Sequence, residues 1–201
     1  LMRETKTAGW LIIATRDFHP QGHMSFASNY EGKNPFETVT WEEAMNGIPT
    51  KVTLADTAEF TQQDLQVEMW AVGSQMLWPD HCIAGTPSAE YHKDLDTSLV
   101  DHHIIKGYRA ETEMYSGFQW KEDIEPGRTI TEILREAGVK TVKVVWLATD
   151  YCVQSTAVDA VRNGFKAIID RSAIAGVAIT SPEDTVRYLE SLREKEEVDY
   201  V

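Results

Sequence analysis

The chain has 201 residues, 42 % apolar and 25 % charged, the balance of an ordinary globular protein long enough to bury a core as one domain. Its 19 Lys and Arg stand against 32 Asp and Glu, and the formal net charge of -13 repels phosphate backbones and anionic lipid, which sets aside nucleic acid and membranes as partners. No run approaches the ~20 apolar residues that span a bilayer, residues 1–10 hold no apolar block of a secretory signal, and two cysteines, Cys82 and Cys152, are too few for a disulfide scaffold. The default setting is a reducing cytoplasm, with nucleus and peroxisome left open.

Residues 1–7 read as the end of a helix, with Gly9 just past its C-terminus. The apolar run 11–15 reads as a buried strand. Residues 29–76 are polar and punctuated by glycine and proline, a long irregular excursion within a single domain that covers 1–201. A second strand is expected over 103–107, a helix over 129–137 stopped by Gly138, and a third strand over 141–148, rich in β-branched residues. A helix over 152–163, a strand over 165–169 and a last helix over 182–193, with Ser181 before it and Pro182 at its first position, complete the series. The charged segment 190–201 reads as a solvated helix end and a frayed tail.

Strands alternate with helices, and the strands are near-continuous apolar runs. That pattern belongs to an α/β fold whose parallel sheet is covered on both faces. Ligands of such sheets bind beyond the carboxyl ends of the strands, so the informative residues should follow Thr15, Ile105 and Ala148.

Asp17 and His19 follow the first strand at a spacing of two, so an extended chain turns both toward one point. Pro20 favours that extended conformation at His19. A carboxylate and an imidazole so placed suit a divalent metal, although an Asp capping a turn beside a surface His has the same sequence. His23 is a further ligand or a supporting residue. Trp78-Pro79-Asp80-His81-Cys82 offers His81 as a third ligand, or is a Trp-Pro turn with an incidental His; Cys82 reads as packing.

Lys106 ends the second strand, where it either serves a neighbouring catalytic group or snorkels to water. The third strand runs through Thr149-Asp150-Tyr151 into a helix beginning near Cys152. A thiol there feels the positive helix end and unpaired N–H groups, which favour thiolate and can also hold an oxyanion. Asp150 reads as the helix N-cap rather than a base. A buried structural cysteine is the alternative.

In order, Thr-Arg-Asp-Phe-His-Pro (15–20), Ser25-Phe26-Ala27, Trp-Pro-Asp-His-Cys (78–82), Gly85-Thr86-Pro87, Lys106-Gly107, Tyr115-Ser116-Gly117-Phe118 and Leu-Ala-Thr-Asp-Tyr-Cys-Val (147–153) resemble nicotinamidase/pyrazinamidase of the isochorismatase-like hydrolase superfamily. The resemblance runs from about residue 10 to about residue 177, with a fungal style in the segment before Trp78. It implies a three-layer, Rossmann-like fold with a parallel sheet sandwiched between helices. It implies a metal-dependent cysteine amidohydrolase that converts nicotinamide to nicotinate and ammonia through a thioester, in NAD salvage and pyridine nucleotide biosynthesis. Cys152 would be the nucleophile and Lys106 the catalytic lysine, with the N–H groups of Ala148 and Cys152 as oxyanion hole. Asp17, His19 and His81 would bind one divalent metal, zinc first, with iron or manganese as alternatives. Trp78 and Tyr115 would wall the ring pocket with Tyr151 near it, and the Leu147–Ala148 peptide would be cis. The fold also commonly forms homo-oligomers.

The sequence departs from the pattern in two places. The family's acid–base aspartate lies on a first strand of the type apolar-apolar-Asp-x-Gln-x-Asp-Phe, and no such run occurs. The reading is therefore of a fold lacking its first strand here, with that strand expected ahead of residue 1. A related small-amide hydrolase, or a catalytically impaired relative that binds metal and ligand, are the alternatives. Trp146 stands where the family carries a small glycine and would need space nearby.

Overall fold

Short β-branched and apolar runs make the strands, and glycines in the left-handed region end the elements between them. The computed structural model describes residues 1–40, 43, 74–119, 127–177, 190 and 198–201. These group into two compact units, the first of Leu1–Arg16, Lys93–Lys106 and Met114–Val201, the second of Asp17–His92 and Gly107–Glu113.

In the first unit, helix α1 (Met2–Thr7) ends at Ala8, and Gly9 follows at φ +80°. Strand β1 (Ile13–Asp17) pairs with β4 (His102–Lys106). The expected first strand thus lies two residues further along: the Ile12 carbonyl instead accepts the Asp101 N–H at 2.8 Å, and its N–H donates to the Asp101 carboxylate at 2.8 Å. Helix α2 (Ile130–Glu136) begins with a capping box. The Thr129 hydroxyl accepts the Glu132 N–H, and the Glu132 carboxylate accepts the Thr129 N–H.

Strand β5 (Thr141–Leu147) pairs in parallel with β6 (Lys166–Ala175), in register from Thr141↔Lys166 to Val144↔Ile169 and, after a shift, at Trp146↔Ile174 and Leu147↔Ala175. Strand β7 (Val198–Tyr200) adds in parallel to β6. This corrects the expectation of a frayed tail at these residues: Val198 is buried against the sheet, which a charge-rich local sequence does not reveal. The expected last helix over 182–193 lies outside the described residues, apart from residue 190.

The helix expected to begin near Cys152 starts earlier, as a π-helical turn Thr149–Val153, and continues as α3 (Gln154–Arg162). Ala157 and Ala160 are fully buried where α3 packs on β6, and their small side chains permit close approach. The Leu147–Ala148 peptide is cis, as the resemblance implies. Trp146, at φ +94°, finds its space by leaving the core; it is 56 % exposed.

Among the described strands, β1–β4 and β5–β6–β7 form separate sheets. A cavity of about 550 Å³ borders both, lined by Ile13 and Thr15 of β1, Val142 and Val144 of β5, Phe118 and Cys152.

In the second unit, β2 (Thr38–Thr40) and β3 (Ser74–Met76) form an antiparallel pair. Met24, Ala27, Val39 and Leu77 make a buried cluster on which Tyr30 packs. Parallel bridges His19↔Ile83 and Phe26↔Trp78 bind the 17–30 stretch to the 74–84 stretch. Of the excursion expected over 29–76, residues 41, 42 and 44–73 lie outside the described set. Among the described residues, no helix is long and apolar enough to cross a membrane.

Candidate active site

The second unit carries the three candidate ligands. Its bridge at His19 is closed on both sides: the His19 N–H donates to the Cys82 carbonyl at 2.9 Å, and the His19 carbonyl accepts the Ala84 N–H at 2.8 Å. This ladder brings residues far apart in sequence together, so that ligand atoms of Asp17, His19 and His81 all lie within 4.8 Å of one another. Phe26 stands edge-on to the His19 ring at 5.5 Å and tilted to His81 at 5.4 Å. Trp78, nearly buried, lies 6.4 Å from the His81 ring.

The donor set fits a divalent metal. His19 Nδ1 is 2.9 Å from the Gly107 carbonyl and His81 Nδ1 is 2.8 Å from the Pro79 carbonyl. A carbonyl only accepts, so each Nδ1 carries the hydrogen, which leaves Nε2 as the ring nitrogen that can present a lone pair. Two imidazole lone pairs and a carboxylate within that span are a donor set for zinc, iron or manganese.

His23 belongs with these residues but is already committed. It is fully buried; its Nδ1 lies 2.8 Å from the Ser25 hydroxyl, and its Nε2 donates to the Thr112 carbonyl at 3.0 Å. Burial lowers its pKa to about 4, so the ring is neutral at ordinary pH. It is therefore a packing partner of His19, with ring centroids 4.2 Å apart. The grouping of His19, His23 and Glu113 is close enough for a metal, yet holding one there would cost His23 the hydrogen bond at whichever ring nitrogen bound it.

The first unit carries the thiol. Lys106, at the end of β4, is 4 % exposed, and its Nζ donates to Cys152 Sγ at 3.2 Å. Cys152 sits in the opening turn, where the Ala148 carbonyl accepts the N–H groups of Tyr151 and Val153 at 3.1 and 3.0 Å. Ala148 itself is the N-cap residue, and the turn has no side-chain cap. That corrects the expectation for Asp150, whose carboxylate accepts the Val177 N–H at 3.0 Å instead and so ties the turn to the end of β6. The Tyr115 and Tyr151 rings pair at 5.3 Å. Burial, then the nearby Asp150 carboxylate, raise the Tyr151 pKa. The Gly117 N–H donates to the Thr156 hydroxyl of α3 at 3.1 Å, which fixes the stretch carrying Tyr115.

All the residues singled out for chemistry thus fall into two local groupings: Lys106, Ala148, Cys152, Tyr115 and Tyr151 in the first unit, and Asp17, His19, His81 and Trp78 in the second. What the sequence reading missed are the supporting contacts, above all the Gly107 and Pro79 carbonyls. No side-chain signal marks a backbone acceptor.

The isochorismatase domain model matches residues 1–195 of the chain. A nicotinamidase from Acinetobacter baylyi is 34 % identical over 158 residues, covering 79 % of this chain and 60 % of that protein. A nicotinamidase/pyrazinamidase structure from Acinetobacter baumanii superposes with a TM-score of 0.72 at 32 % identity, covering 100 % of this chain and 81 % of the other. The pyrazinamidase of Pyrococcus horikoshii in complex with zinc superposes with a TM-score of 0.63 at 32 % identity, covering 100 % and 79 %. The chain spans about 60 % of the length of the A. baylyi relative.

Proposed function

We propose, from the premise that this chain belongs to the isochorismatase domain family, that it is the thiol- and metal-bearing part of an amidohydrolase that converts nicotinamide to nicotinate and ammonia. The observation that carries the reading is the Lys106–Cys152 contact of 3.2 Å, made by a buried lysine to a thiol in the first turn of a helix. An ammonium beside that sulfur, together with the helix end, stabilises the thiolate that attack on an amide needs.

Thiolate Cys152 adds to the carboxamide carbon. The N–H groups of Ala148 and Cys152 are the donors assigned to the developing oxyanion. The C–N bond then breaks, and ammonia departs with an added proton. Water cleaves the resulting thioester, releasing nicotinate and restoring the thiol. Trp78, Tyr115 and Tyr151 are assigned to the aromatic ring of the substrate. Asp17, His19 and His81 would hold one divalent ion, zinc by similarity to the zinc-bound relative, and such an ion supplies a Lewis-acid anchor for a pyridine nitrogen. We place the residues 1–201 in one isochorismatase-like domain, working in the cytoplasm on a small amide, with neither nucleic acid nor membrane as partner.

A second reading is set beside it, because none of the residues assigned above supplies the proton for departing ammonia. That is compatible with a protein that binds metal and amide without turnover. Assaying ammonia and nicotinate release from nicotinamide, alongside pyrazinamide and an N-carbamoyl amide, separates the readings. The expected result is nicotinamide turnover that Cys152→Ala abolishes. Undiminished turnover in that variant would remove the nucleophile, and zinc binding without any turnover would favour the second reading.

A further inference from the structure

We propose that Gly107 is a positioning residue for the Asp17–His19–His81 set, an inference that rests on reading that set as a metal site. Gly107 stands 88 positions after His19 and acts on it in two ways. Its carbonyl takes the His19 Nδ1 hydrogen at 2.9 Å, which selects the tautomer whose Nε2 lone pair is available to a metal. Its missing side chain is the second part. A Cβ at position 107 would lie 2.4 Å from His19 Cε1 and 2.6 Å from His19 Nδ1, closer than nonbonded carbon approaches either atom.

The ring cannot simply move aside. His19 is 1 % exposed, with the His23 ring centroid at 4.2 Å and that of Phe26 at 5.5 Å. Nor is the 107–113 segment free to retreat. The Ala110 carbonyl accepts the Met24 N–H at 2.7 Å, and the Thr112 carbonyl accepts the His23 Nε2 hydrogen at 3.0 Å. Three main-chain carbonyls of one short segment therefore grip residues 19–24, and position 107 faces the ligand itself.

Backbone conformation alone does not account for this glycine. Gly107 has φ +69°, but Gly32 and Gly85 share φ +75° with nothing within 4 Å of an added Cβ. A substitution at Gly32 meets the conformational cost without the collision, which makes it the control.

The test measures zinc affinity by chelator competition and thermal midpoint for the unsubstituted protein, Gly107→Ala, Gly107→Asn, Gly32→Ala and His81→Ala. The expected result is a loss of zinc affinity of about tenfold to a hundredfold in both Gly107 variants, the scale for disturbed support of a metal ligand. Gly32→Ala keeps the affinity within about twofold, since nothing there touches a ligand. Asn tolerates positive φ better than Ala, so a role confined to backbone strain would spare Gly107→Asn and overturn the proposal.

Unsubstituted affinity in Gly107→Ala, with zinc lost in His81→Ala, would overturn the proposal and leave the metal reading standing. Equal zinc binding by the unsubstituted protein and His81→Ala would sink the metal reading and the proposal with it. Should the Gly107 variants fail to fold, 15N histidine NMR of the unsubstituted zinc-free protein decides, with His19 assigned through His19→Gln. A hydrogen on Nδ1 supports the proposal, and a hydrogen on Nε2 overturns it.

Discussion

Lys106 is a charged side chain kept almost wholly out of water beside one sulfur. An ammonium so placed is stabilised by a thiolate and stabilises it in turn. Replacing it by an uncharged chain of similar length should therefore raise the thiol's ionisation midpoint. In Lys106→Met, the pH profile of Cys152 alkylation by iodoacetamide, followed by peptide mass so that Cys82 is counted separately, should move up by about one unit or more. Nicotinamide turnover near neutral pH should fall with it. An unmoved alkylation profile would show that the contact does not activate the sulfur. At this scale the sequence pointed to side chains that the fold groups locally, Lys106 with Cys152 and Asp17 with His19 and His81. It was silent where the work is done by main chain. Gly107 and Pro79 contribute carbonyls, which every residue has, so residue type does not single them out. Asp150 was misread for a related reason, because its partner is the N–H of Val177, 27 positions away.

Element boundaries follow the same division. Helix α2 was legible nearly to the residue, since Thr129, Glu132 and Gly138 are start and stop signals that act within a few positions. Its reciprocal cap satisfies two N–H groups that the helix cannot satisfy itself, so Thr129→Ala should destabilise the protein by about 1 kcal/mol. Urea unfolding would register this as a lower midpoint at unchanged slope. A midpoint equal to that of the unsubstituted protein would show that water replaces the cap without loss. Strands were less legible, because a strand is completed by a partner that local sequence does not contain. β1 begins two residues later than its apolar run suggests, since Ile12 is engaged by Asp101 before the pairing starts. β7 escaped notice because a three-residue strand in a charged tail has no period to detect; burial of Val198 beside β6 is what makes it one.

For the molecule as a whole, composition set limits and the structure supplied the stage. The charge of -13 opposes compaction and repels polyanions, but a divalent cation is drawn to such a chain before any site is considered. If Asp17, His19 and His81 hold zinc only in the folded state, free zinc at a hundredfold excess over its Kd should stabilise by about 2.7 kcal/mol. Thermal unfolding with graded zinc should show the midpoint rising with concentration, and His81→Ala should flatten that rise. A rise of equal size in His81→Ala would mean that zinc acts through general charge neutralisation. The parallel sheet expected from the strand order is present as β5–β6–β7, while β1–β4 stands as a separate pair across a cavity of about 550 Å³.

The hydrogens on the far side of both candidate imidazole ligands are received by peptide oxygens, at Gly107 and Pro79. A peptide oxygen survives any change of the side chain next to it. The handedness of proton placement in this pocket is thus inherited with the path of the main chain, and neighbouring residues can drift without rewriting it. Substitution scans around such a centre should find long stretches of tolerance interrupted at positions that bend the path or crowd the rings.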